Sequence, residues 1–151
     1  MAFPQNERLT EGLCFPDVIN AYPTLTTAQL GAAIDLSKIR KVAFFVYCGT
    51  IGSGGTVTAK IKGCATSGGS YTDITNYSLT LTDAASESNK GKVLEVSAQN
   101  VNALGLSYRF VKLSVGADQS SAVYTATIGG GGPEEPINAQ NSASVTKLSM
   151  F

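Results

Sequence analysis

The sequence predicts an all-β protein: one β-sandwich, jelly-roll-like domain with extended N- and C-terminal arms. Three observations predict it. Short runs rich in β-branched and aromatic residues recur from residue 29 to residue 130, with turn signals about every 8 to 16 residues, the spacing of a sandwich or barrel. No convincing amphipathic helical pattern of ten residues interrupts them. Proline- and glycine-marked segments bracket that region on both sides.

Residues 1–28 carry Pro4, Pro16 and Pro23 among scattered large apolar residues, including Phe3, Leu9, Phe15 and Tyr22. Proline removes a ladder donor and resists helix interiors. The segment is too apolar for a solvated tail, so it reads as an arm lying on its own domain or on a neighbour. Gln29 to Ile34 is a short strand candidate. Lys41 to Cys48, KVAFFVYC, is a nearly continuous apolar run and predicts a strand covered on both faces. After the glycine-rich turn at 49–55, Thr56 to Lys62 alternates cleanly, with Val57, Ala59 and Ile61 to one side. The two runs predict a hairpin with a long loop.

Tyr71 to Ile74 and Ser78 to Thr82 predict two short strands, and Asp83 to Gly91 a polar loop. Lys92 to Ala98 alternates with Leu94, Val96 and Ala98 inward, and Asn100 to Gly105 predicts a crossing turn with one helical turn. Ser107 to Val115 and Ala122 to Ile128 complete the strands. Phe44, Phe45, Tyr108, Phe110 and Tyr124 fall within strand patterns and are expected in the core, whereas Tyr71 and Tyr77 lie near turns. Residues 131–151 form a linker and a C-terminal arm. Four glycines, Gly129 to Gly132, precede Pro133-Glu134-Glu135-Pro136. Ile137, Val145, Leu148 and Phe151 then supply widely spaced apolar contacts. With the N-terminal set, these are the residues expected to bind partners.

The chain has 151 residues, enough for one domain with its own core. Charged residues make up 15 %, against a usual level of about 25 %. A surface of Ser, Thr, Gly and Asn is easier to bury against a partner, because few ions must lose their hydration. Eleven basic and eleven acidic residues leave no net charge, and the longest basic cluster is Lys38, Arg40 and Lys41, so no nucleic-acid partner is expected. No run of about 18 apolar residues predicts a membrane span. The first residues lack the basic and apolar regions of an export signal, and cysteines expected to stay reduced suit assembly in a cytoplasm.

No enzyme chemistry, cofactor or metal is expected. The chain contains no histidine, which removes Ser-His-Asp and Cys-His catalysis and His-ligated metals. Cys14, Cys48 and Cys64 lack close spacing; a Cys48–Cys64 bridge is possible, but reduced thiols are expected. Asp73 and Asp83 flank turns, where Asp bonds locally. Gly49 to Thr56 imitates a phosphate loop, yet Gly55 stands where the lysine belongs and a strand follows instead of a helix.

Four stretches together resemble a known family. They are Ile34-Asp35-Leu36-Ser37-Lys38 leading into Val42-Ala43-Phe44-Phe45-Val46; Thr56-Val57-Thr58-Ala59-Lys60-Ile61; Gly68-Gly69-Ser70-Tyr71-Thr72-Asp73-Ile74; and Tyr108-Arg109-Phe110-Val111-Lys112-Leu113. Across residues 30–130 their spacing and composition are similar to those of the capsid decoration, or cement, proteins of tailed bacteriophages. The resemblance implies a sandwich or jelly-roll virion protein, often a homotrimer, placed on the capsid exterior where it binds the major capsid protein. Two other readings of the residues stand beside it: another virion part, such as a head fibre base or tail protein, and a carbohydrate-binding module.

Overall fold

The computed structural model describes residues 13–17, 22–39 and 41–130. Two antiparallel sheets face each other. The strands are β1 (Leu13–Asp17), β2 (Tyr22–Leu25), β3 (Gln29–Leu30), β4 (Ile34–Asp35), β5 (Lys41–Cys48), β6 (Thr56–Cys64), β7 (Thr72–Thr82), β8 (Lys90–Ser97), β9 (Phe110–Ala117) and β10 (Ser121–Gly130). A six-residue helix, α1 (Ala98–Ala103), stands between β8 and β9.

The first sheet runs β1-β10-β5-β8, with β2 pairing β10 beside β1. The second runs β3-β9-β6-β7, with β4 pairing β9 beside β3. Each sheet is therefore four positions wide, one outer position being shared by two short strands. Every pairing is antiparallel and the chain crosses repeatedly between the sheets. Eight strand positions in two such sheets make a jelly roll. The expected fold class holds.

The core lies between the sheets. Val42, Phe44, Val46 and Cys48 from β5 meet Val57, Ala59 and Ile61 from β6 and Val111, Leu113 and Val115 from β9, all essentially inaccessible. These are the alternate residues of pleated strands, so a period of two suffices to build the layer. Val101 of α1 plugs one end. Ser97 caps this helix by accepting the Asn100 amide on its Oγ at 3.1 Å.

Four expectations change. The strand pairing begins at Leu13 rather than at residue 29, because β1 and β2 lie along the outer edge of β10. Leu25, within the segment read as an arm, is buried. Secondly, β5 and β6 form no hairpin. Both edges of β5 are taken by β10 and β8, so the glycine-rich loop carries the chain across to the second sheet. Thirdly, the two short strands at 71–82 are one strand, β7, with an irregularity opposite Lys60 to Lys62. Asn76 there has φ of 69°, a left-handed conformation that Asn tolerates and that takes up the slip. Finally, Ala98 starts α1 instead of ending β8.

The Ile34–Lys38 stretch is a corner. Asp35 accepts the Ser37 amide at 2.9 Å and the Ser37 hydroxyl at 2.7 Å on one oxygen. The same carboxylate takes a two-pronged contact from Arg109, Nε at 2.9 Å and Nη2 at 2.6 Å. Arg109 thus ties the corner to the start of β9 and sets the angle at which the chain enters β5. Its hydrogen bonds hold the Asp35 carboxyl down to about 2, helped by Ser37 and opposed by burial.

Two outcomes are expected. Phe44 is fully buried and its neighbour Phe45 is 41 % exposed. Phe44→Ala should cost about 3–5 kcal/mol in urea unfolding, and Phe45→Ala no more than about 1 kcal/mol. A folded-state pKa below the ordinary value of about 4 means that the Asp35 ion pair adds stability above that pH and loses it as the pH falls toward 2. Arg109→Met should therefore lower the Tm at neutral pH, and its gap from the parent should narrow as the pH drops through that window.

Candidate interaction face

The outer face of the first sheet is apolar. Register aligns Tyr124 of β10, Tyr47 of β5 and Gly91 of β8 in one row; Ala126, Phe45 and Val93 in the next; and Ile128, Ala43 and Glu95 in the third. Phe45, Tyr47, Tyr124 and Val93 are 41 %, 43 %, 43 % and 52 % exposed. They are four of the six exposed large hydrophobic side chains among the described residues. A contiguous patch of this kind marks an interaction surface more strongly than scattered apolar residues do.

The outer face of the second sheet is different. It presents Thr56, Thr58, Lys60 and Lys62 from β6, Lys112 from β9, and Ser78 and Thr80 from β7, with Leu30 of β3 as its exposed large apolar residue. Asp73 bridges Lys60 at 2.8 Å and also pairs Lys62, which lowers its pKa, the Lys60 contact acting most. The sandwich is thus wetted on one side and greasy on the other.

The β10 strand shows how firmly this is built. Its inward residues are Ser121, Val123, Thr125 and Thr127, and its outward ones Ala122, Tyr124, Ala126 and Ile128. The more apolar half faces out. The expectation that Phe45 and Tyr124 pack in the core is therefore corrected, as is the cover on both faces of β5. Pleating sends Val42, Phe44 and Val46 inward, so Phe45 and Tyr47 must point away from them. The sequence signal was present: an apolar run on both parities needs cover on both sides, and the described residues supply it on one.

Among the expected partner-binding residues, Tyr22 lies on β2 and pairs Val123 of β10, and Phe15 lies on β1 within the irregular stretch between the paired residues Cys14 and Asp17. Phe3, Leu9, Ile137, Val145, Leu148 and Phe151 lie outside the described residues.

The loops that could carry chemistry are engaged internally. Ile51 N donates to Ser88 Oγ at 3.1 Å, Gly52 N to Ser121 Oγ at 3.2 Å, Gly54 N to Asp83 Oδ2 at 2.9 Å, and Thr56 N to Asp118 Oδ1. Six amides of the phosphate-loop mimic are thus spent inside the protein, these four on side chains and those of Gly49 and Gly55 on the carbonyls of Ala122 and Gly52. A Cβ at Gly52 would stand 2.7 Å from the Ser120 carbonyl oxygen, which accounts for a glycine there. Asp73 and Asp83 thus serve a lysine bridge and a turn. Cys48 and Cys64 are both free and buried, in different sheets. Burial, with Glu87 adding to it and Lys92 opposing, pushes the Cys48 thiol up to about 11. No cluster of metal-ligating side chains occurs among the described residues.

No protein-family model matches the chain, and no curated protein matches it. Solved structures do. The PBSX exported protein XepA aligns over 96 % of this chain with a TM-score of 0.55 at 14 % identity. That alignment spans 43 % of the XepA chain, so this chain corresponds to less than half of it. A protein of the disulfide-linked pili of Bacillus endospore appendages aligns over 85 % of this chain and 93 % of its own, with a TM-score of 0.47 at 12 % identity. A carbohydrate-binding module of family 28, specific for non-crystalline cellulose, aligns over 74 % of this chain and 72 % of its own, with a TM-score of 0.47 at 13 % identity. The XepA likeness supports the sandwich fold.

A thiol with so high a pKa has almost no nucleophilic thiolate at neutral pH. Iodoacetamide at mildly alkaline pH should leave Cys48 unmodified in the folded protein and label it fully in urea, read by peptide mass spectrometry.

Proposed function

We propose that this chain is a structural protein of a tailed-phage virion, a decoration or cement protein that binds the capsid exterior and ties neighbouring major capsid subunits together. The observation that carries the reading is the uncovered aromatic and aliphatic face on a sandwich whose opposite face is polar. Such a surface works by adhesion. The sequence resemblance to decoration proteins supports the capsid as its location, and jelly rolls recur in viral capsid domains.

In this reading grip comes from many weak contacts repeated over a symmetric particle, so avidity replaces single-site affinity. Phe3, Leu9, Phe15 and Tyr22 act from the N-terminal side, where β1 and β2 anchor the chain to the first sheet. Ile137, Val145, Leu148 and Phe151 act from the C-terminal side, beyond the glycines that follow β10. The protein turns over no substrate and holds no cofactor.

A carbohydrate-binding role is the second reading, favoured by the exposed tyrosines. Tyr47 and Tyr124 lie 6.0 Å apart between ring centroids, tilted by 51° to one another. This mutual tilt disfavours it, because a sugar chain stacks best on rings presented in one plane.

Added to particles of its own phage that lack it, the full chain should decorate the head in electron micrographs and raise the temperature at which packaged DNA escapes. Deleting residues 133–151 should leave the Tm of the domain unchanged and weaken particle binding. Density on the tail, or binding to a glycan array with none to particles, would replace the reading with one of its rivals. An equally tight truncated form would remove the C-terminal arm from it.

A further inference from the structure

We infer that Lys92 and Glu87 form a clamp that closes the free edge of β7 and keeps β7 of another copy from adding to the second sheet. The inference goes beyond the structural reading above and does not depend on what meets the apolar face.

The strand order puts β7 at one end of the second sheet, paired with β6 alone among the described residues. The opposite end is split into β3 and β4, of two residues each, too short to template a partner strand. β7 has eleven residues and is the long edge of this sheet. The pairing fixes where its backbone groups point. Asp83 N donates to the Gly55 carbonyl at 3.0 Å, so Leu79, Leu81 and Asp83 bond toward β6. Ser78, Thr80 and Thr82 therefore turn their amides and carbonyls outward, where another strand would pair.

Those outward groups are largely taken. Thr82 N donates to Glu87 Oε2 at 2.8 Å, and Glu87 N donates to the Thr82 carbonyl at 3.1 Å. Lys92 Nζ donates to the Thr80 carbonyl at 2.6 Å and meets Glu87 Oε1 at 2.6 Å. Glu87 comes from the loop after β7, and Lys92 from β8 of the facing sheet. The salt bridge thus joins the two residues that occupy the edge. Earlier along β7, the slip opposite Lys60 to Lys62 and the positive φ of Asn76, 69°, interrupt the ladder. Such an irregularity bends a strand and spoils its edge.

The placement of Lys92 is the second observation. It stands opposite Val46 of β5, just as Leu94 stands opposite Phe44 and Val96 opposite Val42. Val46, Phe44, Val42, Leu94 and Val96 are all core residues. Lys92 therefore holds an inward position at the rim, where an apolar side chain would bury more surface. An inward-pointing charge is one of the ways in which natural sheets blunt an edge. Another strand could reach the Thr80 carbonyl only by displacing the ammonium from it, and would leave that charge short of partners as water is excluded.

The test is sedimentation of the full chain over a range of micromolar concentrations. Lys92→Met keeps the stem and suits an inward position, so its circular dichroism should match the parent. Its weight-average mass at the top of the range should exceed the parent's by about twofold or more. Lys92→Ala should show the same rise, so the reading stands even where methionine overfills the rim. Lys92→Arg keeps a cation on the edge and should sediment like the parent. Adding Thr80→Pro to Lys92→Met should return the mass to the parent's, because the Thr80 amide points away from β6 and its loss breaks only a new ladder. Folded Lys92→Met and Lys92→Ala proteins that sediment as the parent does would overturn the inference. So would association that survives Thr80→Pro, since a surface other than the β7 edge would then join the copies.

Discussion

The structure turns on the pleat of β5. Its backbone is bonded on both edges, to β10 and to β8, over its whole length. That double pairing leaves no freedom of register, and alternate side chains must go to opposite faces. Val42, Phe44, Val46 and Cys48 then form the centre of the core, and Ala43, Phe45 and Tyr47 stand on the outside. The core and the greasy face are two sides of one strand, and a slip by one residue would exchange them.

The neighbours of β5 follow the same logic at some cost. Strand β10 turns Thr125 and Thr127 inward and Tyr124, Ala126 and Ile128 outward, against the usual sorting. Apolar atoms left in water forgo about 25 cal/mol per Å². A strand that turns its more apolar half outward forgoes that contribution, a local conflict of the kind that tends to mark functional surface. On the second sheet the outward residues of β6 are threonines and lysines, the usual sorting.

The loops at one end of the sandwich are bonded to one another. Four backbone amides of the glycine-rich connection are taken by Asp83 and Ser88 from the β7–β8 loop and by Asp118 and Ser121 from the β9–β10 connection. Those contacts lock together one end of the sandwich, where the chain passes between sheets. The other end is held by α1 and by the Asp35–Arg109 corner. Rigid ends keep the apolar face flat and its rows in register, which is what a surface that works by shape requires.

Much of this was written in the residues themselves. The alternation in Thr56 to Lys62, the apolar run at 41–48 and the short helical turn after β8 are local properties of the chain, fixed by side-chain sterics and by hydrogen bonds a few residues apart. What the sequence left open was nonlocal. Period two says that a strand has two faces, but not which other strands lie beside it. The crossing of β5 to β6, the joining of β7 through Asn76, the docking of β1 and β2 on β10 and the outward turn of Phe45 and Tyr124 were therefore decided by tertiary structure. They follow from which backbone edges were already occupied and which faces found a partner.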